Sequence, residues 1–184
     1  MPFMSDQFFH LAKNLRDLSS QHANEISLPA GAVLVSVACL EAYINEVAEI
    51  ALSGSNRRDF DALKNNLVKK LQFLNERGRI PNQLGPDILE DVALLYGLRG
   101  RLMHYRVDPE HPIDTATSFQ RLVARFPESV RTEADVSTAE LLTPLLAEWA
   151  VERISKAVKD LYKSGWEPPR PRWLELVDPQ RFAN

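Results

Sequence analysis

The segment of residues 28–53, LPAGAVLVSVACLEAYINEVAEIALS, constrains the fold more than any other part of the chain. Its first half is almost wholly apolar and is interrupted only by Ser36. Pro29 suits the first turn of a helix and Gly54 suits the position just past its end, which predicts a helix over residues 29–53. The apolar stretch is shorter than the roughly 20 residues that span a bilayer. The pattern therefore predicts a buried helix at the centre of a bundle.

Apolar residues recur at helical spacing through most of the remaining chain, and no two consecutive segments alternate with a period of two. The predicted helices are a first one with Ser5 as N-cap, then residues 29–53, 59–75, 86–105, 116–126 and 137–164. Ser137 and Glu140 form a capping box, and Pro144 predicts a kink or a late start in the same helix. The sequence thus predicts an all-α, up-down helical bundle of four to six helices over residues 1–165. A proline-rich extended tail follows over residues 166–184.

Composition points to one compartment and one domain. A chain of 184 residues is long enough to bury its own core without a staple. Cys39 is the only cysteine, so no disulfide can form within the chain, which is typical of a reducing compartment. The first residues, MPFMSDQFFHLAKNL, lack the basic start, apolar run and cleavage site of a signal peptide. We predict a soluble, cytoplasmic protein that does not bind a membrane.

Charge and motifs argue against several classes of function. The net charge of −3 gives no reason by itself to expect nucleic acid. Residues 64–106 nevertheless carry eight Lys or Arg against four Asp or Glu, which indicates either a basic face or a solvated helix surface. The four histidines form no HxH or HExxH pair, and no phosphate-binding glycine loop, dinucleotide fingerprint or GxSxG elbow is present. We predict neither a metal nor a cofactor.

One segment brings an arginine, a histidine and further cations together, namely LYGLRGRLMHYR at the end of the fourth predicted helix. Arg99 precedes His104 by five residues, and Arg101 and Arg106 add cations at the same helix end. An imidazole can take or give a proton near neutral pH, and a guanidinium can hold a phosphate. The plainer alternative is that Arg99 and His104 are cations favoured by the dipole at a helix C-terminus.

Together with VACLEAYINEVA on the second helix, the terminal LRGRLMHYR resembles the HEPN superfamily. These are compact all-α domains found in many prokaryotic toxins, defence proteins and RNA-processing enzymes. LRGRLMHYR is similar to the Arg-(x4–6)-His signature of the family, and VACLEAYINEVA is similar to its early helix that bears an acid. The resemblance covers about residues 5–165.

The resemblance implies a homodimer in which both signatures meet in a cleft between protomers. Active members are metal-independent endoribonucleases, so Arg99 would hold the phosphate and His104 would act as general base or acid, with the partner's histidine in the other role. Glu41 or Asn45 would orient His104. The setting that the resemblance implies is a toxin–antitoxin or phage-defence system, with RNA as substrate and an antitoxin protein as a further partner.

The chain departs from the family pattern beside the signature. Many active members have a polar residue after the arginine, but here Gly100 stands there, four residues before His104 and on the same helix face. Some toxin members have a tyrosine two residues after the histidine. Here Tyr105 follows His104 directly and Arg106 takes that place. Arg101, three residues from His104, is a candidate to compensate electrostatically.

Two further hypotheses remain open at this level. One is a non-catalytic HEPN-like module that binds RNA, a nucleotide or a protein, which Gly100 and the modest charge favour. The other is a purely structural bundle that dimerises.

Overall fold

The computed structural model describes residues 4–64, 66–77, 84–103 and 142–163. These residues form six helices and no strand, which confirms the all-α helical bundle. The helices are α1 (Met4–Gln21), α2 (Ser27–Ala51), α3 (Gly54–Ala62), α4 (Leu67–Arg77), α5 (Pro86–Met103) and α6 (Pro144–Lys163). The predicted helix over 116–126, the predicted capping box and the proline-rich tail lie outside the described residues.

Helix α2 is the central element, as the sequence predicts. It contacts each of the other five helices of the described bundle, and α1 packs along it most extensively. Val33, Val37, Leu40 and Ile44 follow one another at helical spacing and are fully buried. Of the helices described, α2 alone is long and apolar enough to cross a membrane, and half of the stretch Ser27–Ile50 is buried inside the bundle. That placement is typical of a core helix.

The predicted third helix over residues 59–75 is wrong, because two helices occupy this region. Helix α3 already begins at Gly54, whose φ of 60° is one that glycine adopts freely, and it ends at Ala62. Lys64 then takes a φ of 51°, a left-handed conformation that cannot continue the right-handed helix. Helix α4 starts afresh, with the side-chain oxygen of Asn66 accepting the Lys69 amide proton at 3.0 Å.

Ser5 is not an N-cap, because it lies inside the first turn of α1. Its amide and its hydroxyl both donate to the carboxylate of Glu46 on α2, at 3.1 and 2.6 Å. Glu46 therefore satisfies an amide that has no acceptor within α1, and it places a negative charge at the positive end of that helix. Cys39 lies beside this contact and is fully buried, and burial raises the pKa of its thiol well above the ordinary value. Cys39 is thus a core residue.

Pro144 predicts either a kink or a late start in the last helix, and the structure shows the late start, because α6 begins at Pro144. Leu142 and Thr143 are not helical, and the Thr143 hydroxyl accepts the Leu146 amide proton at 3.3 Å in the first turn of α6. Trp149 on this helix is buried in the core. Helix α5 begins at Pro86 as predicted, and its predicted end at residue 105 lies outside the described residues.

Candidate functional site

A cavity of 480 Å³ opens between α2, α4 and α5, and we call it the Arg99 cavity. Its lining residues are Glu41 and Asn45 from α2, Leu67 and Lys70 from α4, and Tyr96, Arg99, Gly100 and Met103 from α5. The α5 residues are spaced by three, one and three, and the α2 residues by four, so each set occupies one helix face. Helix spacing alone therefore turns these side chains toward a common space.

An ion pair between α5 and α2 fixes the arginine of this cavity. The Arg99 guanidinium donates to a carboxylate oxygen of Glu41 at 2.8 Å, with 30% and 22% of the two side chains exposed. The guanidinium carbon also lies 5.8 Å from the centre of the Tyr96 ring. Since two neighbours hold one side chain, Arg99 is presented to the cavity in a restricted orientation.

A second cation, Lys70, enters the cavity from α4. Its ammonium donates to the amide oxygen of Asn45 at 2.8 Å and lies 4.8 Å from the centre of the Phe60 ring. Both partners are uncharged. The direct contacts of Lys70 are therefore uncharged, while the charges of Asp61 and Glu41 act on it without forming an ion pair among the described residues.

Burial governs the electrostatics of the cavity. It raises the pKa of Glu41, and the nearby charges of Arg99 and Lys70 offset only part of that effect. It also lowers the pKa of Lys70, although Asp61 and Glu41 act in the opposite direction. In both residues the charged form is disfavoured by partial removal from water. Any anion entering the cavity meets cations that are already partly desolvated.

The sequence-predicted residues fall into three groups. Glu41, Asn45, Arg99 and Gly100 all line the Arg99 cavity. Arg101 is half-buried on α5 but is not among the lining residues. His104, Tyr105 and Arg106 lie outside the described residues.

Sequence reasoning missed four of the described lining residues; two are apolar, Leu67 and Met103, and two are polar, Lys70 and Tyr96. Lys70 belongs to the stretch 64–106 with excess positive charge, so the charge balance was the available signal. Tyr96 precedes Arg99 by three residues, a spacing that places a ring next to a cation on one helix face.

Gly100 leaves an opening in the wall of the cavity. A Cβ atom built at this position would meet no atom of the described residues within 4 Å. The backbone at Gly100 therefore does not need glycine for lack of space.

The donor set of the cavity suits an anion. In the described part of the chain, no group of three or more His, Cys, Asp or Glu is close enough to hold a metal ion. Among the described lining residues, two cations, one carboxylate and one amide give a formal charge of +1. A phosphate monoanion would neutralise it, with N–H donors already in place.

Replacing Glu41 with glutamine tests this electrostatic description. When the pKa of a carboxyl is higher in the folded state than in the unfolded state, its ionisation lowers the stability of the folded protein. The loss therefore appears as the pH rises from the unfolded pKa through the folded one. Glutamine does not ionise and avoids this loss. We therefore expect the Tm of Glu41→Gln minus the Tm of wild type to be more positive at pH 7.5 than at pH 5.

Glu49→Gln is the matched control for this experiment. Glu49 lies on the same helix, its side chain is 74% exposed, and it pairs with Arg57 at 3.4 Å. An exposed pair contributes roughly 0–1 kcal/mol, so this variant should melt close to wild type at both pH values. If Glu41→Gln instead loses more stability at pH 7.5 than at pH 5, the ion pair with Arg99 outweighs the effect of burial.

Comparison of the chain with protein-family models, with curated proteins and with solved structures finds no match. What the protein does is therefore inferred from the residues of the Arg99 cavity and from the sequence element that begins at Arg99.

Proposed function

We propose that the protein is a HEPN-like, metal-independent endoribonuclease that acts as a cytoplasmic homodimer in a toxin–antitoxin or defence system. The observation that carries this proposal is the ion pair of Arg99 with Glu41 in a cavity with an excess of positive charge. These residues come from the two segments, LRGRLMHYR and VACLEAYINEVA, that resemble the family. The membrane plays no part in the proposal.

The proposed reaction needs one phosphate-binding cation and two proton-transfer groups. The ribose 2′-oxygen attacks the phosphorus and forms a new P–O2′ bond, and the bond from phosphorus to the 5′-oxygen breaks. A histidine takes the proton from the 2′-hydroxyl, and a second acid protonates the leaving 5′-oxygen. A dimer supplies His104 twice, once for each role.

Arg99 contributes binding and charge stabilisation. Its guanidinium can hold two phosphate oxygens, and it can stabilise the additional negative charge that develops as the 2′-oxygen attacks. Since Glu41 and Tyr96 already restrain it, little further ordering is required when the substrate binds. Glu41 or Asn45 would orient His104, with Arg101, Tyr105 and Arg106 in supporting roles.

The second candidate function is a non-catalytic module that binds RNA, a nucleotide or a protein partner. The open space at Gly100 favours it, because the polar residue that many active HEPN proteins carry is missing from the wall of the cavity. This module would bind RNA in a salt-sensitive way and form no product.

Analysis of the RNA ends separates the two functions. Purified protein is incubated with end-labelled RNA in EDTA, with a fully 2′-O-methylated copy of the same RNA as control. We expect fragments with 2′,3′-cyclic phosphate and 5′-hydroxyl ends, and an intact methylated control, because methylation removes the attacking group. Folded protein that leaves the RNA intact would favour the binding module. Cleavage only on addition of a divalent metal would contradict the proposed chemistry.

A further inference from the structure

The two cations of the Arg99 cavity differ in what neutralises them. Arg99 forms a direct ion pair with Glu41 at 2.8 Å. Lys70 instead contacts the Asn45 amide and the Phe60 ring, and no carboxylate in the described part of the chain forms an ion pair with it. Among the described lining residues, Lys70 is therefore the cation that no ion pair neutralises, although the charges of Asp61 and Glu41 act on it.

This difference matters for binding a phosphate. A phosphodiester carries one negative charge and must compete with Glu41 for Arg99. Without Lys70, the described lining residues would carry one positive and one negative charge, so the attraction of the cavity for an anion would be weaker. One donor of the Lys70 ammonium is used by Asn45, which leaves the other two for an incoming oxygen.

The surroundings of Lys70 also restrict where its ammonium lies. Asn45 on α2 and Phe60 on α3 contact it from two different helices. Partial burial has already removed some of its water, so a phosphate displaces less solvent there than at a fully exposed lysine. The neighbouring Lys69 is exposed and does not line the cavity.

We propose that Lys70 is a second phosphate-contacting residue of the Arg99 cavity, which binds an RNA phosphodiester between Arg99 and Lys70. The choice of RNA as ligand rests on the proposed function. The assignment of Lys70 rests on its position, its uncharged partners and the charge balance of the cavity.

The test uses an uncleavable, fluorescent 2′-O-methylated oligonucleotide and measures its Kd by anisotropy over a series of salt concentrations. Each phosphate contact on a single strand contributes about 0.7 to the slope of log K against log salt. We expect Lys70→Met to lower that slope by about 0.7 and to weaken binding about tenfold at low salt. Lys70→Arg, which keeps the charge, should retain most of the slope.

Lys69→Met is the matched control, because it removes the same charge one residue away on α4, outside the cavity. Circular dichroism and Tm show whether each variant is folded, and Lys70→Gln, which also removes the charge, replaces Lys70→Met if that variant does not fold. If Lys70→Met and Lys69→Met have the same slope and the same Kd, the assignment of Lys70 is overturned.

The outcomes separate this inference from the proposed function. If binding depends on Lys70 but wild type does not cleave RNA, the role of Lys70 is supported and the endoribonuclease function is contradicted. If cleavage depends on Arg99 and His104 but Lys70→Met has the same salt slope as wild type, the role of Lys70 is contradicted and the proposed function is not. Folded wild-type protein that binds no oligonucleotide contradicts both.

Discussion

Replacing Arg99 with alanine is expected to lower the rate of RNA cleavage by about 10²–10³-fold, the usual cost of removing one preorganised donor to a developing negative charge. The guanidinium is held by Glu41 at 2.8 Å and lies beside the Tyr96 ring, so its position is set before the substrate arrives. The measurement is a single-turnover time course on end-labelled RNA in EDTA. Single turnover separates the chemical step from product release.

The alanine variant also leaves Glu41 half-buried without its partner, which would disturb the fold for reasons unrelated to catalysis. The double variant Arg99→Ala, Glu41→Gln removes that unpaired charge and should be as slow as the single variant. Arg57→Ala is the control, because Arg57 forms only exposed ion pairs, with Asp61 at 3.0 Å and Glu49 at 3.4 Å. Wild-type rates in folded Arg99→Ala would show that Arg99 does not act on the substrate.

His104→Ala should have the largest effect on activity, a loss of about 10²–10⁴-fold, which is the contribution typical of general acid–base catalysis. Two proton transfers would be affected at once if the histidines of both protomers act. The measurement is the single-turnover rate between pH 5 and pH 9. Wild type should give a bell-shaped profile, since one imidazole must be neutral and the other protonated.

The variant His10→Ala serves as the control for His104→Ala. His10 is exposed on α1 and does not line the Arg99 cavity, so both the rate and the pH profile should match wild type. A His104→Ala profile that keeps both limbs at nearly the wild-type rate would exclude His104 as the acid or the base.

The position of the central helix and the start of α5 were predictable because each follows from residues that are close together in the sequence. The apolar run around Val33, Val37 and Leu40 identifies the buried helix at the centre of the bundle, and Pro86 marks the start of α5. The break between α3 and α4 was not predictable from spacing. Across this break, an interval of four residues separates Leu63, Leu67 and Leu71. The helical spacing therefore continues in the sequence although the left-handed conformation of Lys64 interrupts the helix.

The same contrast applies to the cavity. Arg99 and Glu41 could be selected in advance because their segments resemble a family signature. Lys70 and Tyr96 belong to no motif, and neither the charge balance of residues 64–106 nor the spacing of Tyr96 from Arg99 is enough by itself to select them. Lys70 reaches the cavity only through the packing of α4 near α2 and α5, and the sequence does not show which face of α4 turns toward them.

The most direct measurement of the central claim is the cleavage of end-labelled RNA in EDTA by wild type, His104→Ala and Arg99→Ala, with each protein shown to be folded by circular dichroism. The account predicts that wild type cuts the RNA and that both variants leave it essentially intact. Intact RNA with wild type, or equal cleavage by all three proteins, would contradict it.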